Sequence, residues 1–434
     1  MADGVAYTEE FGSRGWFLLR PHAVGRTIRT RTLGLGATVR AYNELAVPGL
    51  GGIWFGKPLV LALVGIDLAE RSGSQPIVVA NAIEAIGCKV ALAHRRWVAH
   101  PMLRGSQKLK RHGAGSEAFK TVAAPGYYVS QTMRQQTIQP LVSLGLVNAR
   151  NDRFNSFTVS EAGACLLAAF YSSYRPSKVL LDAYLMRWVK GESLNLGSST
   201  ARQALSPDVR LPKECRLQLI NRLRAPDGVH GSVRRLEALE WMKTLNEGSR
   251  ISWERPPAML ARDHWLDLSE GAAFTQVRDS AIAVLNCLES LLGRTSTARL
   301  KLSQGDERLE GHLDSLRHLA RAFLGGERDK QFTREDARSF CLDCCDESDV
   351  SLIRMLVMRD GRVLRLSGND VVPGHAFVQG ANSMADGTEG DRSNDEAQRA
   401  DGVKWPAGAS YRLGNLYSLW HDLGGNVGMF DYAS

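Results

Sequence analysis

Residues 127–170 constrain this chain more than any other stretch, because the apolar period there changes from helical to alternating and back (YYVSQTMRQQTIQPLVSLGLVNARNDRFNSFTVSEAGACLLAAF). Met133, Thr137, Leu141 and Leu144 recur at helical spacing and predict a buried stripe, with Ser130 as the expected N-cap. Gln131, Arg134, Gln135 and Gln139 are left to face outward. Pro140 cannot donate to the carbonyl of Gln136, so a kink or an end to the helix is expected there. Gly145 supplies a C-terminal cap, Leu146 and Val147 begin a strand, and 148–155 is a polar hairpin loop with Arg150 and Arg153 at its tip. Phe157 and Val159 return the strand. Ser160 caps a second helix that carries Leu166, Leu167 and Phe170.

That order is the order of a winged helix. The run GLV, a polar hairpin with arginines, then VSEAG and paired leucines resembles the end of a MarR-type winged helix-turn-helix module, over about residues 115–170. The fold class expected is mainly α with small β elements, the winged helix embedded in a multi-helix protein and followed by a C-terminal helix and hairpin region. Arginine and glutamine can make paired hydrogen bonds to guanine and adenine edges, so Gln131, Arg134, Gln135 and Gln139 form the expected reading face.

Charge agrees with such a role in one half only. Residues 1–250 carry a net charge of +15 and residues 251–434 a net of −7. A basic half suits a polyanion, because each neutralised phosphate releases counterions. Segment 95–112 (RRWVAHPMLRGSQKLKRH) concentrates the effect: Arg95, Arg96, Arg104, Lys108, Lys110 and Arg111 with no acid between them. Further arginines in 1–56 predict a strand with one charged face or an arm lying on a polyanion. The acidic half is better matched to solvent, to a protein partner or to the basic half itself.

Four units are expected: a basic arm and helical hairpin at 1–112, the winged helix at 113–174, a helical domain at 175–300, and an acidic region with a hairpin and a flexible loop at 301–434. Within the first, 57–72 and 76–94 read as two apolar helices. Within the last, Asp360-Gly361 is the expected hairpin turn between 353–358 and 363–366, Thr333 with Asp336 an expected capping box, and 367–402 a long flexible loop.

Signals for chemistry are few. Gly51 to Lys57 has phosphate-loop spacing, but Pro58 stands where Ser or Thr must hold magnesium and Trp54 and Phe55 crowd the loop. Cys341, Cys344 and Cys345 share one helix face and are weak zinc candidates, since zinc needs four ligands and no second pair is present. His264, beside Trp265, reads as a satisfied core histidine. No cofactor is expected. Seven scattered cysteines, no secretory leader and no apolar run of spanning length predict a cytoplasmic protein without membrane contact.

The function expected is therefore a non-catalytic protein that binds double-stranded DNA, the recognition or scaffold subunit of a larger assembly, with mobile-element or phage-defence systems as a conceivable setting. Protein partners would dock on the helical or acidic part. Two alternatives stand beside it: a nucleic-acid-processing enzyme with an active site in the C-terminal half, and a winged helix used for protein docking.

Overall fold

A computed structural model describes residues 31–113, 117–194, 198–225, 232–303, 306–326, 334–377 and 402–424. It is mainly helical, with a two-stranded and a three-stranded antiparallel sheet among the described residues.

Helix α1 (Gly36–Ala46) leads into the hairpin of α2 (Lys57–Ser72) and α3 (Pro76–His94). Both hairpin helices start with proline in the first turn, where its missing N–H is no loss, and Gly73 closes α2 in the left-handed conformation at φ 69°. Gly65 is needed where they cross, since a Cβ there would lie 2.4 Å from the Cα of Ala80. Both are apolar around most of their circumference and lie at the centre of the molecule. Among the described residues α3 is the one helix long and apolar enough to cross a bilayer, and 72% of that stretch is buried inside the protein.

Short helices α4 (Ser106–Lys110) and α5 (Phe119–Val122) precede α6 (Arg134–Ser143), strands β1 (Val147–Ala149) and β2 (Phe157–Val159), and α7 (Glu161–Ser172). The predicted stripe of Met133, Thr137, Leu141 and Leu144 is buried, and Ser160 caps α7 by accepting from the Gly163 N–H at 3.0 Å. Gly163 is demanded by packing: a Cβ there would sit 2.1 Å from the Leu146 carbonyl oxygen. One expectation fails here: the helix starts at Arg134 rather than after Ser130. Pro140 does not end the helix, which runs on to Ser143. Its first-turn N–H groups are capped by a carboxylate from α3, and its proline ring packs on Gly51.

Helices α8 (Leu181–Val189), α9 (Ser199–Leu205), α10 (Lys213–Arg224) and α11 (Ser232–Met242) follow, then α12 (Arg262–Arg294). At 33 residues α12 is about 50 Å long and belongs to two hydrophobic cores. Trp265 and Leu268 join a first core made by 46–268 together with the returning helix at Tyr411–Asp422; Phe274 to Leu292 join a second made by 33–42 and 274–377. The segments 46–112, 113–174 and 175–268 therefore share one core.

The second core adds β3 (Leu300–Lys301), α13 (Glu307–Leu324), α14 (Glu335–Asp343), α15 (Asp349–Asp360), β4 (Leu364–Ser367) and β5 (Asp370–Pro373), in the strand order β3-β5-β4. Here the expected hairpin is displaced. Leu352, Ile353, Leu356 and Val357 are buried at helical spacing, so 349–360 is α15 and Gly361, at φ 59°, is its C-terminal cap. The hairpin lies one strand later and turns at Gly368-Asn369. Strand β5 replaces the start of the expected flexible loop; 378–401, Thr333 and most of the expected N-terminal arm (1–30) fall outside the described residues.

Candidate nucleic-acid interface

Helix α6 is seated by its buried neighbours before any ligand is considered. Glu84, at mid-length of α3, is buried, and its carboxylate accepts from the backbone N–H groups of Met133 (2.8 Å) and Arg134 (2.9 Å) and from the Tyr128 hydroxyl (3.0 Å). Burial pushes the Glu84 carboxyl up from the ordinary range, and the three donors oppose the shift. Deeper along α3, Lys89 pairs with Glu117, which also accepts from the Tyr127 hydroxyl at 2.8 Å. The sequence carries a signal for both. Glu84 and Lys89 interrupt the otherwise apolar run IVVANAIEAIGCKVALA, and an isolated charge in a buried helix needs a partner.

The expected reading face is only partly available. Arg134 is 6% exposed, a correction to its outward placement: its Nε donates to Asn81 at 2.8 Å and its guanidinium lies 4.8 Å from the Phe154 ring centroid. It ties the helix to α3 and to the hairpin, and cannot reach a base edge from there. Gln139 is exposed but engaged, its amide donating to Glu44 and its oxygen accepting from Arg412 at 3.0 Å. Gln131 is half-buried, with its side-chain oxygen enclosed. Gln135 is exposed and donates to the Ser130 carbonyl at 3.1 Å. Gln135 is the group of the four that solvent meets most freely, and it can turn outward for the loss of one exposed hydrogen bond.

The β1–β2 hairpin pairs Val147 with Val159 and Ala149 with Phe157. Phe154 and Phe157 root it in the first core, and Arg150 and Arg153 stand exposed at its tip beside the exposed Asp152. It is pinned to the start of α3, where the Ile77 N–H donates to Asn155 at 2.9 Å.

The basic segment begins at the other end of the same helix. Arg95 caps α3 and is paired with Asp208 at 2.6 Å, and Lys108 donates to the Tyr128 carbonyl at 2.8 Å, so these two hold the loop in place. Arg104 is half-buried. Arg96, Lys110 and Arg111 are exposed and have no ion-pair partner among the described residues. Arg96 and Trp97 adopt left-handed backbone (φ 52° and 64°), which turns the chain sharply off α3.

Other candidates fall to structural roles. Lys57, the would-be phosphate-loop lysine, is 1% exposed; its Nζ donates to the Gln203 carbonyl at 3.0 Å and lies 5.4 Å and 5.7 Å from the ring centroids of Phe170 and Tyr174. The glycines of that loop serve close packing, since a Cβ on Gly51 would lie 2.9 Å from the Gln136 carbonyl oxygen. Cys341 and Cys344 are buried in the second core and Cys345 half-buried, with α14 ending at Asp343, before the last two. Burial raises all three thiols, Cys344 to about 12, away from the thiolate that binds metal. Among the described residues no cluster of three or more His, Cys, Asp or Glu is arranged to hold a metal ion. His264 is a core histidine whose ring nitrogens meet Glu237 (2.8 Å) and the Ala46 carbonyl (2.9 Å).

Comparison with known protein families, with curated proteins and with solved structures returns no match to this chain.

Proposed function

We propose that this protein binds double-stranded DNA mainly through the phosphate backbone, as a non-catalytic recognition or scaffold component. One observation carries the reading. Five exposed cations without an ion-pair partner among the described residues sit on segments packed along one helix: Arg150 and Arg153 on the hairpin pinned to the start of α3, Arg96 just past its end, and Lys110 and Arg111 on the segment that Tyr128 ties to its middle. The 19 residues of α3 span about 28 Å, short of the roughly 34 Å of one turn of duplex, so the cations fit within a single turn. Between them, Gln135 is the group free enough to meet a base edge. With Arg134 buried, sequence readout is slight and affinity is electrostatic.

If all five cations neutralise phosphates, affinity falls by about 500-fold between 50 and 200 mM salt. Fluorescence anisotropy with a labelled 20-base-pair duplex tests this, together with Arg150→Glu/Arg153→Glu and Lys110→Glu/Arg111→Glu. Each pair of reversals is expected to weaken binding to every sequence alike. Salt-insensitive binding, or reversals without effect, would refute the proposal. The burial of Arg134 and the tethering of Gln139 favour a second reading, in which the winged helix is a docking module for protein; absence of duplex binding at 50 mM salt would select it.

A further inference from the structure

Where the two cores meet, a cleft of about 660 Å³ opens between the loop 253–258, the first three turns of α12 and the end of α13. That volume lies within the range of sites for small organic ligands, which are commonly found at such junctions. Its walls are aromatic: Trp253 is half-buried, Trp265 and Phe323 are almost wholly buried, and the two indoles stand 5.0 Å apart at 55°. Two arginines face it. Arg262 at the mouth is exposed and Arg338 on α14 is half-buried, and neither guanidinium has a hydrogen-bond or ion-pair partner among the described residues. Arg334, one turn before Arg338, has its Nε buried without a hydrogen-bond partner. A half-buried guanidinium left unpaired is costly, and guanidinium pairs best with carboxylate or phosphate.

The cleft also holds acids. Glu254 lies exposed at the rim, and Glu270 accepts from the Tyr42 hydroxyl. A simple aromatic anion would be repelled by them, so the ligand must bring donors as well as a negative group. We propose that the cleft binds a mononucleotide, with the base against Trp253 and Trp265, the phosphate on Arg338 and Arg262, and the ribose hydroxyls or exocyclic amine donating to Glu254. A mononucleotide uses all three chemistries at once, and base stacking on indole is tolerant of base identity. This site is separate from the duplex surface and from the false phosphate loop around Lys57.

Titration of the full-length protein with AMP, CMP and adenosine, read by tryptophan fluorescence and by calorimetry, tests the assignment. AMP and CMP are expected to saturate the cleft in the sub-millimolar range, about −4 kcal/mol or better. Adenosine binds at least about tenfold more weakly, through loss of the charge-assisted bonds. Arg338→Ala lowers AMP affinity by about tenfold and leaves adenosine unchanged, and Ser269→Trp, which fills the cleft, abolishes both. Equal affinity for AMP and adenosine, no saturation by either nucleotide, or binding that survives Ser269→Trp would overturn the proposal. If Ser269→Trp fails to fold, the Arg338→Ala comparison decides alone.

Discussion

Lys57→Met should stabilise the protein near neutral pH, and the gain should vanish as the solution becomes alkaline. Lys57 begins α2 in the middle of the first core, and desolvation brings its pKa from 10.5 down to about 7, against weaker opposing attraction from Cys215, Asp422 and Asp208. That difference corresponds to about 4.8 kcal/mol of penalty on the charged form in the folded state. The folded value lies below the unfolded one, so between about pH 7 and 10.5 the unfolded chain binds more protons and stability rises with pH. At pH 6 the whole penalty is present; at pH 9 about 2 kcal/mol of it remains. Methionine matches the length of the chain and removes the charge, at the cost of about 1 kcal/mol for the hydrogen bond to the Gln203 carbonyl. Urea denaturation at pH 6, 7.5 and 9 should show the variant about 3–4 kcal/mol more stable at pH 6, with the gap narrowing by about 2.5 kcal/mol at pH 9. Titrations of groups that do not interact with Lys57 cancel between the two proteins. A gap that stays constant across that range, or a variant less stable at pH 6, would refute the argument that burial controls this lysine.

Two further substitutions probe how the segment from α6 through the β1–β2 hairpin to α7 is built. Arg134→Ala should lower stability by about 1–3 kcal/mol through the lost bond to Asn81 and the lost contact with Phe154, while duplex affinity of the folded fraction stays within about twofold for any sequence; a selective loss at one preferred sequence would restore Arg134 as a base reader. Gly163→Ala should cost about 1–3 kcal/mol in chemical denaturation, because its Cβ meets a backbone oxygen that cannot swing aside; an unchanged midpoint would mean that α7 and β1 separate without penalty.

Local patterns in the sequence determined much of the secondary structure, because each rests on neighbours in the chain. The α2–α3 hairpin follows from its prolines and turn residues, the buried stripe on α6 from the spacing of Met133, Thr137, Leu141 and Leu144, and the cap on α7 from Ser160. Where two local rules competed, tertiary packing decided. Asp360-Gly361 satisfies both a hairpin turn and a helix end, and the burial of Leu352, Ile353, Leu356 and Val357 selected the helix. The direction in which Arg134 points was not a local property at all. It depends on Asn81, more than fifty positions earlier, and on a carboxylate at Glu84 that caps α6 from another helix in place of Ser130. The nucleotide cleft is further still from the sequence, since Trp253, Arg262 and Arg338 come from three elements and carry no shared spacing. Periodicity reports which face of an element is apolar; only the packed fold determines what that face, and each charge beside it, will meet.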